Sequence, residues 1–147
     1  MFNKLKRILQ TSFQHQSPEQ KQHNLHLAAI SMLLEVIDAD DELSIEEAQM
    51  LPEILQTTLN LSCEESDTLI NEAKNNKANA TSLFEFTSIV NEEFSLEQKQ
   101  QLVLAMWKLA YADGHLCQFE DQIIRRSADL LHLRHSELIQ LRNKAIK

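Results

Sequence analysis

Apolar residues recur along this chain at steps of three and four. Leu27, Ile30, Leu34 and Ile37 form one stripe, and Leu83, Phe86 and Val90 form another. Leu102, Met106 and Leu109 make a broader one, with Val103 and Ala110 beside them. Ile123, Ile124, Ser127 and Leu131 follow, and then Leu138, Leu141 and Ala145. This spacing puts each set on one face of an α-helix. Polar residues mark where the helices begin. A Ser or Thr followed three residues later by Glu or Gln makes a capping box, in which each side chain satisfies the other residue's free N–H. Five such pairs precede apolar stripes: Ser17–Gln20, Ser44–Glu47, Ser62–Glu65, Ser82–Glu85 and Ser95–Gln98. Pro18 follows Ser17, at the first helical position, where its missing N–H costs nothing. The pattern predicts helices over 3–13, 18–39, 45–58, 63–76, 82–92, 96–112, 118–131 and 135–145. Pro52 falls inside the third, where its ring removes the bond to the Ala48 carbonyl and predicts a kink or a division.

Composition narrows the fold class. One glycine, two prolines and a 5% aromatic share leave little material for hairpins. The common residues are good helix formers. The expected fold is all-α, a single compact bundle of about seven to eight helices, and 147 residues suffice for one core. Residues 1–16 are set apart as an N-terminal amphipathic segment, and 17–147 form the helical domain.

The domain reads as two related halves, about 17–77 and 82–147, joined through "KNNKANAT". "LLEVIDADDELSIEEAQMLPEIL" lies over "MWKLAYADGHLCQFEDQIIRRSA" with Asp40 on Asp113, Leu43 on Leu116 and Glu47 on Glu120, each pair 73 residues apart. Further on, Leu61 falls on Leu133 and Glu65 on Glu137, 72 apart. Each half is then a long helix, a tight acidic corner, a second helix and a third.

Both corners read A-D-x-x-L-x-x-x-E, and two readings of them stand. In the first they are hard-cation sites. Ca²⁺ or Mg²⁺ takes several oxygen ligands, and a short corner can gather Asp40 with Glu47 and Asp113 with Glu120. Asp38, Asp41 and Glu46 add negative charge near the first corner, and Asp121 near the second. Ser44 and Gly114 shape the turns. In the second reading the corners are structural only. Glu47 closes the Ser44 capping box, and both glutamates favour the positive ends of their helices. Gly114 is the left-handed residue that ends a helix, and Leu43 and Leu116 tuck inward. An EF-hand is excluded, because Leu43 stands where the loop needs Gly and Gln49 where it needs a bidentate Glu.

The remaining chemistry is sparse. A net charge of −8 argues against nucleic acid, whose phosphates need a basic face. Six histidines include the pairs His23/His26 and His132/His135 and the near pair His115/Cys117, but no four-ligand zinc set, so Ca²⁺ or Mg²⁺ is favoured over Zn²⁺. No phosphate loop, nucleophile elbow or H-E-x-x-H occurs, and no enzyme is expected. Cys63 and Cys117 are isolated thiols. No secretory leader or membrane span is read, and a cytoplasmic location is expected. Residues 2–13 can place Phe2, Leu5, Leu9 and Phe13 on one side with Lys4, Lys6 and Arg7 elsewhere, a pattern that suits weak contact with an anionic membrane. Trp107 lies in the densest stripe and is expected in the core.

The paired corners "DADDELSIEE" and "AYADGHLCQFED", with "LLEVIDAD", "FTSIVNEEFSLEQK" and "LAMWKLAYADG", resemble the TerB-like (tellurite-resistance protein B-like) family over roughly residues 25–142. The resemblance implies an all-helical, non-enzymatic domain of two related halves, associated with tellurite resistance and wider stress responses. It also implies protein partners, since related domains occur fused to co-chaperone J-domains near membranes. The family's acidic corners, proposed as metal sites, fall here on Asp40, Glu47, Asp113 and Glu120. The first corner departs from the family pattern, with Asp41 where Gly is usual.

Overall fold

The computed structural model describes residues 17–39, 45–76, 83–112, 114 and 116–146, excepting the side chains of Ile45 and Glu47. Among the described residues there are seven helices and no strand: α1 (Pro18–Asp38), α2 (Ile45–Thr58), α3 (Cys63–Asn76), α4 (Leu83–Glu93), α5 (Leu96–Ala110), α6 (Gln118–Leu130) and α7 (His135–Ile146). The protein is an all-α bundle. The expected helix 3–13 lies outside the described residues.

The polar punctuation works as local chemistry predicts. The Ser17 hydroxyl accepts the Gln20 N–H at 3.1 Å. At α3, Ser62 Oγ accepts from Glu65 N at 3.1 Å, and Glu65 Oε1 accepts from Ser62 N at 3.3 Å. At α5 the reciprocal bonds of Ser95 and Gln98 measure 3.2 and 2.8 Å. Ser44 and Ser82 lie outside the described residues. Pro52 does not divide α2, which runs unbroken from Ile45 to Thr58. Ala48 is exposed, so water can serve the carbonyl that proline leaves without its helical donor. α5 stops at Ala110, two residues early: Tyr111 N–H still makes the α-helical bond to the Trp107 carbonyl at 3.0 Å, but the chain then tightens, with Ala112 N–H reaching the Leu109 carbonyl at 3.1 Å.

The two long helices form the centre. α1 packs on α5, and each carries the third helix of its own half, α3 on α1 and α7 on α5. The second helices reach across. α2 packs on α5 as well as α1, and α6 on α1 as well as α5. α4 lies mainly along α1 and also touches α6. Ile30, Met32 and Leu33 of α1 and Leu102, Met106, Trp107 and Leu109 of α5 are fully buried. Trp107 is a core residue as expected, with its ring 6.2 Å from that of Tyr111.

Three local features recur at spacings of 72 or 73 residues. Met32–Ile37 and Ala105–Ala110 share one burial pattern, in which only Glu35 and Lys108 escape the core. Before each third helix a non-glycine residue takes a left-handed backbone, Asn60 with φ 58° and His132 with φ 65°, 72 residues apart. Glu65 and Glu137, also 72 apart, each accept the N–H three residues back, from Ser62 and Arg134.

Candidate cation corners

The second corner is built from the end of α5 and the start of α6. Gly114 N–H bonds the Tyr111 carbonyl at 2.9 Å, and Gly114 has φ +85°, the left-handed conformation expected of it. Among the described residues no atom lies within 4 Å of the place a Cβ would take, so backbone conformation and not crowding favours glycine here. Leu116 turns inward and packs, partly buried, against the core. Cys117 then caps α6, and its backbone N–H donates to Glu120 Oε1 at 3.3 Å. Glu120 is only 1% exposed, the one buried acid among the described residues. A carboxylate at that depth is tolerated only with donors or positive charge around it, and the first turn of α6 supplies both N–H groups and the positive end of a dipole. Asp121 is committed elsewhere, its Oδ2 held by Arg125 Nε at 2.8 Å. Asp113 and His115 lie outside the described residues.

At the first corner, Asp38 closes α1 with an exposed side chain, and Ala39 N–H reaches back to the Val36 carbonyl at 3.3 Å. Glu46 is exposed on the first turn of α2. Asp40, Asp41, Leu43, Ser44 and the Glu47 side chain lie outside the described residues. Of the four candidate ligands, Glu120 is thus the one whose side chain is described. It suits a hard cation, being an oxygen donor fixed by a backbone bond. Asp121 already shares its Oδ2 with Arg125. Among the described residues no group of three or more His, Cys, Asp or Glu is arranged to hold a metal.

Sequence reasoning missed several polar sites. His23, noted for its spacing from His26, bonds Glu72 across 2.9 Å from α1 to α3. His23 also borders a cleft of about 590 Å³ that takes in Glu19, His26, Glu64 and Glu65. Burial holds the His26 pKa below its ordinary value; Glu65 pulls it up and His23 pushes it down. Glu137 accepts from Arg134 N at 3.1 Å and from Gln100 Nε2 at 2.7 Å, and these bonds hold its carboxyl below the usual range. Its 72-residue spacing from Glu65 was the available signal. Among the described residues the most exposed large apolar side chains are Phe84 at 63%, Phe119 at 61% and Leu96 at 57%. Among the described residues no helix is long and apolar enough to cross a membrane.

Residues 26–143 match the family model described as tellurite resistance protein TerB. No match exists among curated proteins, and none among solved structures.

Proposed function

The chain belongs to the TerB family, and on that premise we propose that it is a non-enzymatic helical domain that binds a divalent cation, Ca²⁺ or Mg²⁺, at its acidic corners. It would act in a stress-response or membrane-proximal assembly, a role to which the family's link with tellurite resistance lends support. The observation that carries the reading is the burial of Glu120 at the base of a corner. Acids on helix surfaces normally reach solvent, whereas this one is held inward with its carboxylate orientation fixed by Cys117 N–H. Asp40, Glu47, Asp113 and Glu120 would supply the oxygen ligands, with Ser44 and Gly114 setting the turns. A bound cation would supply positive charge that offsets carboxylate repulsion and stiffens the corners.

Thermal melting of metal-stripped protein tests this. Millimolar Ca²⁺ or Mg²⁺ should raise the Tm, because a ligand that binds only the folded state stabilises it. Glu120→Gln keeps an oxygen acceptor for Cys117 N–H but loses the charge, and should reduce the rise. A wild-type Tm unmoved by either ion counts against the reading.

A second reading, a metal-free interaction module with structural corners, is favoured by the exposure of Phe84, Phe119 and Leu96. It expects cross-linking to a protein partner that is lost in a Phe84→Ser/Phe119→Ser variant and indifferent to chelator. Chelator-sensitive capture would speak for the cation instead.

A further inference from the structure

We propose that residues 2–13 dock along the groove between α2 and α5, as the counterpart in the first half of α4 in the second. The α2–α5 groove encloses about 230 Å³ and is lined by Met50, Glu53, Ile54 and Thr57 from α2 and by Gln101, Leu104, Ala105 and Lys108 from α5. Under the 73-residue repeat, Gln101, Leu104 and Lys108 fall on Ala28, Ser31 and Glu35 of α1. That α1 stripe is the one flanked by Phe86 and Ile89 of α4. The other wall agrees. Thr57 of α2 falls on Leu130 of α6, whose carbonyl accepts from Asn91 of α4 at 2.9 Å. The groove on α2 and α5 is therefore the repeat-related copy of the surface that α4 covers. Burial changes where the copies differ: Ala28 is buried, while Gln101 is exposed.

The sequence names the occupant. α4 leads through Phe94 into "SLEQKQ", Ser95–Gln100, and residues 2–13 lead into "SPEQKQ", Ser17–Gln22. The shared S-x-E-Q-K-Q sets a spacing of 78. The α4 positions Leu83, Phe86, Thr87, Val90 and Asn91, all at least partly buried, then correspond to Leu5, Ile8, Leu9, Ser12 and Phe13. Exposed Phe84 and Glu85 correspond to Lys6 and Arg7. The inward positions are thus apolar or small, and two of the segment's cations take outward ones. The segment also differs in charge from the rest of the chain. No acid occurs before residue 17, and all 22 lie in the remainder of the chain. Because the repeat spacing drops from 78 to 73, α1 starts about one and a half turns earlier than α5, roughly 7 Å of helix. Residues 14–16 span roughly 10 Å when extended, enough to return the segment to the groove.

The proposal stands apart from the cation reading. Its test uses the full chain, with Cys63→Ser and Cys117→Ser and a nitroxide on Lys6→Cys, an outward position. Amide signals of Met50–Thr57 and Gln101–Lys108 should broaden in vesicle-free buffer, while those of α3 stay sharp. Leu9→Asp in the otherwise native full chain should shift the same groove amides and lower the Tm. Broadening confined to residues near the label, or groove amides indifferent to Leu9→Asp, would overturn the docking. So would groove amides that stay sharp while the labelled chain binds phosphatidylserine vesicles, which would place the segment on membranes.

Discussion

Leu34 on α1 and Trp107 on α5 occupy matching positions 73 residues apart, and both are buried. Around them the burial pattern is the same, but the means differ. Each central helix buries a stretch of similar length, Ala28–Ile37 on α1 and Leu102–Ala110 on α5, but the second sets a much larger side chain at the shared position. Trp107→Ala should therefore cost about 3–5 kcal/mol, at the top of the range for core truncations, and Leu34→Ala about 2–3 kcal/mol. Urea denaturation measures both, and equal losses would break the comparison.

The turns sharpen it at smaller scale. Gly114→Ala meets open space but must hold φ +85°, so a loss of about 1–2 kcal/mol is expected from backbone strain alone. Ser62→Ala and Ser95→Ala each remove one cap and should cost about 1 kcal/mol, alike in the two halves. A large inequality would mean that the caps are not equivalent.

His26 and Glu137 should act on stability in different pH windows. His26 has a lowered folded pKa, so folding favours its neutral form. Its contribution is complete above the unfolded value of about 6.5 and is lost as pH falls from there through the folded pKa. Glu137 also has a lowered pKa, which favours the ionised form in the folded state; its contribution is lost only in stronger acid, below the ordinary carboxylate range. Melting from pH 7.5 to 5.5 should show a modest fall that His26→Gln removes and Glu137→Gln leaves. Below pH 4.5 the dependence should respond to Glu137→Gln. The smallest effect is expected at the left-handed residues. His132→Gly should stabilise by a few tenths of a kcal/mol more than Asn60→Gly, because Asn already tolerates that conformation.

Much of this fold was written locally. Ser17, Ser62 and Ser95 mark helix starts because a hydroxyl three residues before a backbone N–H needs no tertiary help. The stripes from Leu27 to Ile37 and from Leu102 to Ala110 gave the two central helices. Two starts escaped the Ser/Thr pattern. At α6 and α7 only the Glu half of the box exists, because Cys117 and Arg134 replace the hydroxyl residue. The bond between His23 and Glu72 joins residues on different helices, and no spacing within either helix announces it. Gly114 and Leu116 of the second corner were legible, since turn geometry is local. The depth of Glu120 was not, because burial depends on how α5, α6 and α1 pack together.

The central claim is that the acidic corners hold a cation. An amide NMR titration of the metal-stripped full chain with Ca²⁺ and then Mg²⁺ tests it most directly. The account predicts saturable shifts concentrated at Asp38–Glu47 and Asp113–Asp121, reduced by Glu120→Gln. A folded protein whose corner amides stay still at millimolar ion would contradict it.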